Sequence, residues 1–168
     1  IWSEVFSFTT RCSAVTAGNF EYKFEGIGVS DLSKDPKEYV YPECWIVGNR
    51  SAEITFSDAY VPYVDDTNAK GKASLYIRSN VSNNGAFAIP PRVNIDSISK
   101  LRVNFEATAG TQYASHAYAH AIEVGVVTDP LYIETFVPID TLNITREWLP
   151  LEVYLDEYTC DYNDEVGK

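Results

Sequence analysis

Leu101-Arg102-Val103-Asn104-Phe105-Glu106-Ala107 is the stretch that decides the fold. Leu101, Val103, Phe105 and Ala107 are apolar and alternate with Arg102, Asn104 and Glu106. Successive side chains of a strand point to opposite faces, so this period of two describes a strand with one face on a core and one in water. The same alternation recurs on either side. Ala52, Ile54 and Phe56 alternate with Glu53, Thr55 and Ser57, and Ala73, Leu75 and Ile77 with Ser74, Tyr76 and Arg78. Ile122, Val124 and Val126 form another set, and Leu149, Leu151, Val153 and Leu155 a fifth. Pro150 lies in that last run, opposite its apolar set, which predicts an edge position or a strand start because Pro donates no ladder hydrogen bond. Residues 114–121 could be read as a helical turn, but their tyrosines and the flanking alternation weigh against it.

Polar turn clusters fall at 31–36, 65–71, 80–85, 110–115, 129–130 and 161–167. Short strands separated by Asn, Asp, Gly and Pro indicate an all-β, jelly-roll-like β-sandwich of two antiparallel sheets, with the turns gathered at its ends. No internal repeat of fixed period is visible.

A chain of 168 residues, 45% apolar, can bury one sizeable core. Its net charge of -11 repels nucleic acid and anionic lipid, so neither is expected as a partner. No run approaches the roughly 18 apolar residues of a membrane helix, so no membrane insertion is expected. Acidity suits a hard cation such as calcium, and also simple solubility. The 12 tyrosines fit a sugar-binding surface, and equally an ordinary exposed sheet. There is no Met and the chain opens at Ile1, which predicts a segment of a longer protein. Cys12, Cys44 and Cys160 contain no C-x-x-C pair, so no zinc site of that kind is supported. One disulfide plus a thiol paired outside the segment, or three reduced thiols, both fit.

The piece W-S-E-V-F-S-F-T-T-R-C, residues 2–12, resembles the last strand of bacterial fibronectin type III domains. Beyond it come F-E (Phe24-Glu25), Y-P-E-C-W (41–45), G-K-A-S-L-Y-I (71–77), A-I-P-P-R-V (88–93), L-R-V-N-F (101–105), E-V-G-V-V-T-D-P (123–130) and T-F-V-P-I-D-T (135–141). In that order they resemble the MAM-like, or cleaved-adhesin-like, jelly-roll modules of Bacteroidetes surface proteins, over roughly residues 20–168. The resemblance implies residues 1–18 as a fibronectin-type strand plus linker, and residues 19–168 as a jelly roll that stops short of its closing strand. It implies an extracellular or cell-surface, secreted bacterial protein, with a calcium-tolerant or calcium-bearing sandwich and neighbouring domains in the same polypeptide. It also implies a non-catalytic adhesion or carbohydrate-binding module whose partner is a glycan or surface protein. The alternative is a structural spacer beside a protease or glycoside hydrolase.

For a metal, Asp65, Asp66, Thr67 and Asn68 form a D-D-T-N loop whose oxygens could converge on calcium. The plainer reading is an Asx-rich turn, and the spacing is not that of an EF-hand. The family resemblance places Glu25 near a metal, while Asp58 and Asp161 are candidates by acidity and loop position. His116 and His120 stand four apart, but no Glu and no helix supports a zinc-protease motif. Tyr60, Tyr63, Tyr113 and Tyr118 are candidate sugar-stacking rings, whereas Trp45 reads better as a core anchor. No nucleophile elbow or phosphate-cradling glycine loop is present, so the chain is not expected to be an enzyme. Asn49, Asn80 and Asn143 head N-x-[ST] sequons, which a bacterial origin would leave as chance.

Overall fold

A computed structural model describes residues 12, 15–16, 20–24, 26–34, 38–49, 62–66, 73–77, 85–95, 98–109, 120–130, 132–156 and 158. The chain is all-β: its described regular elements are ten strands and two short 3-10 turns, and all but one of the strand pairs are antiparallel. The strands are β1 (Val15–Thr16), β2 (Ile46–Asn49), β3 (Tyr63–Asp65), β4 (Ser74–Tyr76), β5 (Ala86–Ile89), β6 (Val93–Asn94), β7 (Arg102–Ala107), β8 (His120–Val127), β9 (Phe136–Ile144) and β10 (Leu149–Tyr154). Among the described residues no helix is long and apolar enough to cross a membrane. The chain divides into two compact units, 1–94 and 95–168.

The second unit contains residues 101–107. There β7 pairs antiparallel with β10, placing Ala107, Phe105 and Val103 opposite Leu149, Leu151 and Val153. Arg102, Asn104 and Glu106 lie opposite Tyr154, Glu152 and Pro150 on the other face. One face is therefore apolar and the other polar, as a period of two demands. Val153 is 2% exposed and Ala107 is buried, while Val103 is more open. Across the polar face Arg102 bonds Glu152 at 2.9 Å, and the Tyr154 hydroxyl donates to the same carboxylate at 2.9 Å. Both contacts are exposed, so they order the surface more than they stabilise it. Pro150 is the second residue of β10, at the strand start expected for it.

The pair β8–β9 carries a bulge. Val124 lies opposite Asp140, but Gly125 lies opposite Pro138, so Ile139 is an extra residue on β9. A bulge bends its strand and sharpens the twist. Gly125 sits tightly against β9 there: a side-chain carbon would collide with the Val137 carbonyl and with the Phe136 ring. Residues 129–130 form the expected turn, where the Thr135 hydroxyl donates to the Tyr132 carbonyl at 2.7 Å and the Asp129 N–H donates to that hydroxyl at 3.1 Å.

In the first unit β2 pairs with β5 and β3 with β4, both antiparallel, while β1 and β6 form a two-residue parallel bridge. Val15 and Thr16 thus pair with Val93 and Asn94 from within the run expected to be a linker. Phe87 lies opposite Gly48, its ring covering the glycine so closely that an added carbon would stand 2.8 Å from it. Cys12 and Cys44 are joined in a disulfide with their Cα atoms 5.4 Å apart. Cys44 follows the Pro42-Glu43 turn with φ 68°, a left-handed backbone uncommon outside glycine. The turn at 31–34 matches its reading as well. Asp31 Oδ1 accepts from the Ser33 N–H at 3.1 Å and from the Ser33 hydroxyl at 2.7 Å, and these bonds lower its pKa. The Ala52–Phe56 alternation, residues 1–11, His116, Asn80, Cys160 and the turn clusters at 80–84, 110–115 and 161–167 lie outside the described residues.

Candidate functional site

The β3–β4 ribbon is the described element that concentrates candidate binding chemistry. Its register sets Tyr63 opposite Tyr76, Val64 opposite Leu75 and Asp65 opposite Ser74. Val64 and Leu75 share one face, and Val64 is completely buried there, which anchors the ribbon. Alternation then turns Tyr63, Asp65, Ser74 and Tyr76 to the opposite face. The Tyr63 and Tyr76 rings stand 5.0 Å apart between centroids, inclined by 33°. Tyr39 adds a third ring, 5.7 Å from Tyr63 and edge-on at 68°. Centroid distances of this order are the favourable range for aromatic pairs. The three rings are half-buried, and Asp65, on the same face, is 8% exposed. Ser74 Oγ approaches the Asp65 carbonyl at 3.4 Å, closing the end of the pair.

This arrangement can do one thing well. Fixed aromatic rings offer apolar faces at little entropic cost, since a Tyr has only two side-chain torsions to freeze. Phenol and hydroxyl groups of the half-buried Tyr and Ser74 side chains at the same surface offer hydrogen bonds. A pyranose presents the matching pattern, an apolar C–H face ringed by hydroxyls.

Tyr41 lies in the same chain segment as Tyr39. Burial pushes its phenol up to about 12, and the charge of a neighbouring Tyr39 phenolate pushes in the same direction. Such a group favours the fold while the unfolded chain keeps its own proton, below about pH 10. Between about pH 10 and 12 the unfolded phenol ionises first, so stability falls as pH rises through that window. Tyr41→Phe keeps the ring without the ionisation. Denaturant midpoints measured across pH 9–12 are expected to fall less steeply in Tyr41→Phe than in the parent; equal slopes would refute the assignment.

A second aromatic group surrounds Trp45. Tyr22 and Phe24 stand 5.4 and 5.6 Å from it, and Phe20 leads into them at 6.4 Å from Tyr22. The Trp45 Nε1–H is buried with no hydrogen-bond partner among the described residues. Trp45 itself is half-buried.

Of the candidate rings, Tyr63 lies in this site; Tyr60, Tyr113 and Tyr118 lie outside the described residues. Of the candidate metal ligands, Asp65 and Asp66 are described, whereas Glu25, Asp58, Asn68 and Asp161 are not. Asp65 ends β3 instead of opening a loop, and only Asp66 of the pair has an exposed side chain. Calcium takes six to eight oxygens, so these two residues alone do not make its cradle. Among the described residues no group of three His, Cys, Asp or Glu is placed to hold a metal ion. His120 is the first residue of β8.

Tyr39 and Tyr76 escaped the sequence reading. Tyr76 was legible as the polar-face partner of Leu75, but its meeting with Tyr63 depends on strand register. Tyr39 lies 24 positions before Tyr63, outside the described strands, and no local pattern could place it there. No protein-family model, curated protein or solved structure matches the chain.

Proposed function

We propose that this chain is a non-catalytic carbohydrate-binding or adhesion module of a larger secreted protein, and that Tyr39, Tyr63 and Tyr76 form its sugar-binding platform. The observation that carries the reading is the convergence of three tyrosines and Asp65 on one face of the β3–β4 ribbon. Support for an extracytoplasmic location comes from the Cys12–Cys44 disulfide, a bond that persists in oxidising compartments. The antiparallel pairs, among them β7–β10 with one apolar and one polar face, are suitable building blocks for a jelly-roll-like sandwich. Calcium remains a proposed stabiliser of the stretch following β3.

Native affinity electrophoresis tests the reading. The protein is run through gels containing xylan, hydroxyethyl cellulose, galactomannan or polygalacturonate, with calcium or with chelator. At least one polysaccharide is expected to retard it. Tyr63→Ala and Tyr76→Ala should each weaken that retardation by about tenfold or more, the effect of a buried aromatic anchor worth about 1.4 kcal/mol or more. Retardation by none of the four in either condition would contradict the proposal.

A further inference from the structure

We propose that Ser30 is the positioning residue of the platform: it holds Tyr39 against Tyr63 and so sets the affinity for sugar. The inference rests on the platform being the binding surface.

The geometry is unusually specific for one small side chain. Ser30 is 8% exposed. Its backbone N–H donates to the Val64 carbonyl at 3.0 Å. Its hydroxyl donates to the Val40 carbonyl at 3.3 Å and accepts from the Val40 N–H at 2.9 Å. Val40 directly follows Tyr39, and Val64 directly follows Tyr63. One serine therefore ties the backbone beside the first ring to the backbone beside the second. Tyr63 and Tyr76 need no such device, because the β3–β4 ladder fixes both. Tyr39 does need one, since residues 38–41 belong to none of the described strands.

The serine hydroxyl is suited to this task because it donates and accepts at once, closing both polar groups of Val40. Alanine would keep the backbone bond to Val64 and lose both bonds to Val40. That separates the hold on Tyr39 from the anchoring of residue 30 itself. Threonine retains the hydroxyl.

Native affinity electrophoresis in the four polysaccharides above, with each variant's denaturation midpoint measured alongside, makes the test. Ser30→Ala is expected to bind about tenfold more weakly, equivalent to about 1.4 kcal/mol. Ser30→Thr should bind within about twofold of the parent, a difference of about 0.4 kcal/mol. In a Tyr39→Ala background, Ser30→Ala should cause no further loss of binding, although its loss of stability should persist. A purely structural role would move the midpoint and leave this binding cycle additive. Ser30→Cys, which keeps the volume and a weak hydrogen-bonding group, serves if Ser30→Ala does not fold, and should fall between Thr and the Tyr39→Ala level. Parent-like binding by Ser30→Ala or Ser30→Cys, or additive losses with Tyr39→Ala, overturns the inference and leaves the platform standing. A parent protein that binds none of the polysaccharides overturns the platform and this inference together.

Discussion

Removal of the Cys12–Cys44 disulfide, as the Cys12→Ser/Cys44→Ser double variant, is expected to cost about 3.7 kcal/mol of stability at 25 °C. The two cysteines are 32 positions apart, and a cross-link of that span removes chain entropy from the unfolded state by about this amount in the loop-closure model. The bond also ties Cys12 to the turn leading to Trp45. Near it, Tyr22 and Phe24 pack on Trp45, so a loosened Cys44 disturbs an apolar cluster. Cys44 has φ 68°, a conformation that costs a residue with a side chain about 1–2 kcal/mol and glycine almost nothing. Cys12→Ser/Cys44→Gly should accordingly recover roughly 1 kcal/mol of what the double serine variant loses. Urea midpoints with unchanged slope report both numbers. A double serine variant as stable as the parent would show that the bond constrains nothing.

Gly125→Ala is expected to lower stability by about 3 kcal/mol, toward the upper end of overpacking effects, and Gly125→Val by more. The reason lies in the bulge on β9. The extra residue Ile139 brings the β9 backbone inward, and the first atom of any side chain at position 125 would collide with the Val137 carbonyl. Carbons of the Phe136 ring stand 2.8 and 2.9 Å from the same point. A ring can turn away; a backbone carbonyl inside a ladder cannot do so without breaking the pairing. Gly85 supplies the control, because a carbon added there meets nothing within 4 Å. Gly85→Ala should stay within about 0.5 kcal/mol of the parent, as surface substitutions do. Equal stability of Gly125→Ala and Gly85→Ala would mean that the bulge is not as tight as described.

Strands β7 and β10 were legible because one face meets a core and the other meets water. At Leu101–Ala107 and Leu149–Leu155 the alternation already separated the face carrying Val103, Phe105, Leu151 and Val153 from that carrying Asn104, Glu106 and Glu152, and the register pairs like with like. Leu75 was likewise assigned to the apolar face, where it meets Val64. The bulge was not legible. Val137-Pro138-Ile139-Asp140 breaks the alternation on β9, but a break alone does not say which residue is extra. The Cys12–Cys44 pairing was one of several open possibilities, since spacing cannot bring two Cα atoms to 5.4 Å. The site was half legible. Tyr63 and Asp65 were singled out individually, but their common face with Tyr76 follows from pairing, and the seat of Tyr39 from the hydrogen bonds of Ser30.

The central claim is that the three tyrosines are the surface on which sugar lands. Titrating the 15N-labelled protein with oligosaccharide prepared from whichever polysaccharide retards it, and following amide and tyrosine-ring NMR signals, tests this most directly. The account predicts that the largest shifts fall on Tyr39, Tyr63 and Tyr76 and on the backbone of Asp65 and Ser74, and that Tyr63→Ala abolishes them. Saturable shifts centred elsewhere, with these five residues unmoved, would contradict it.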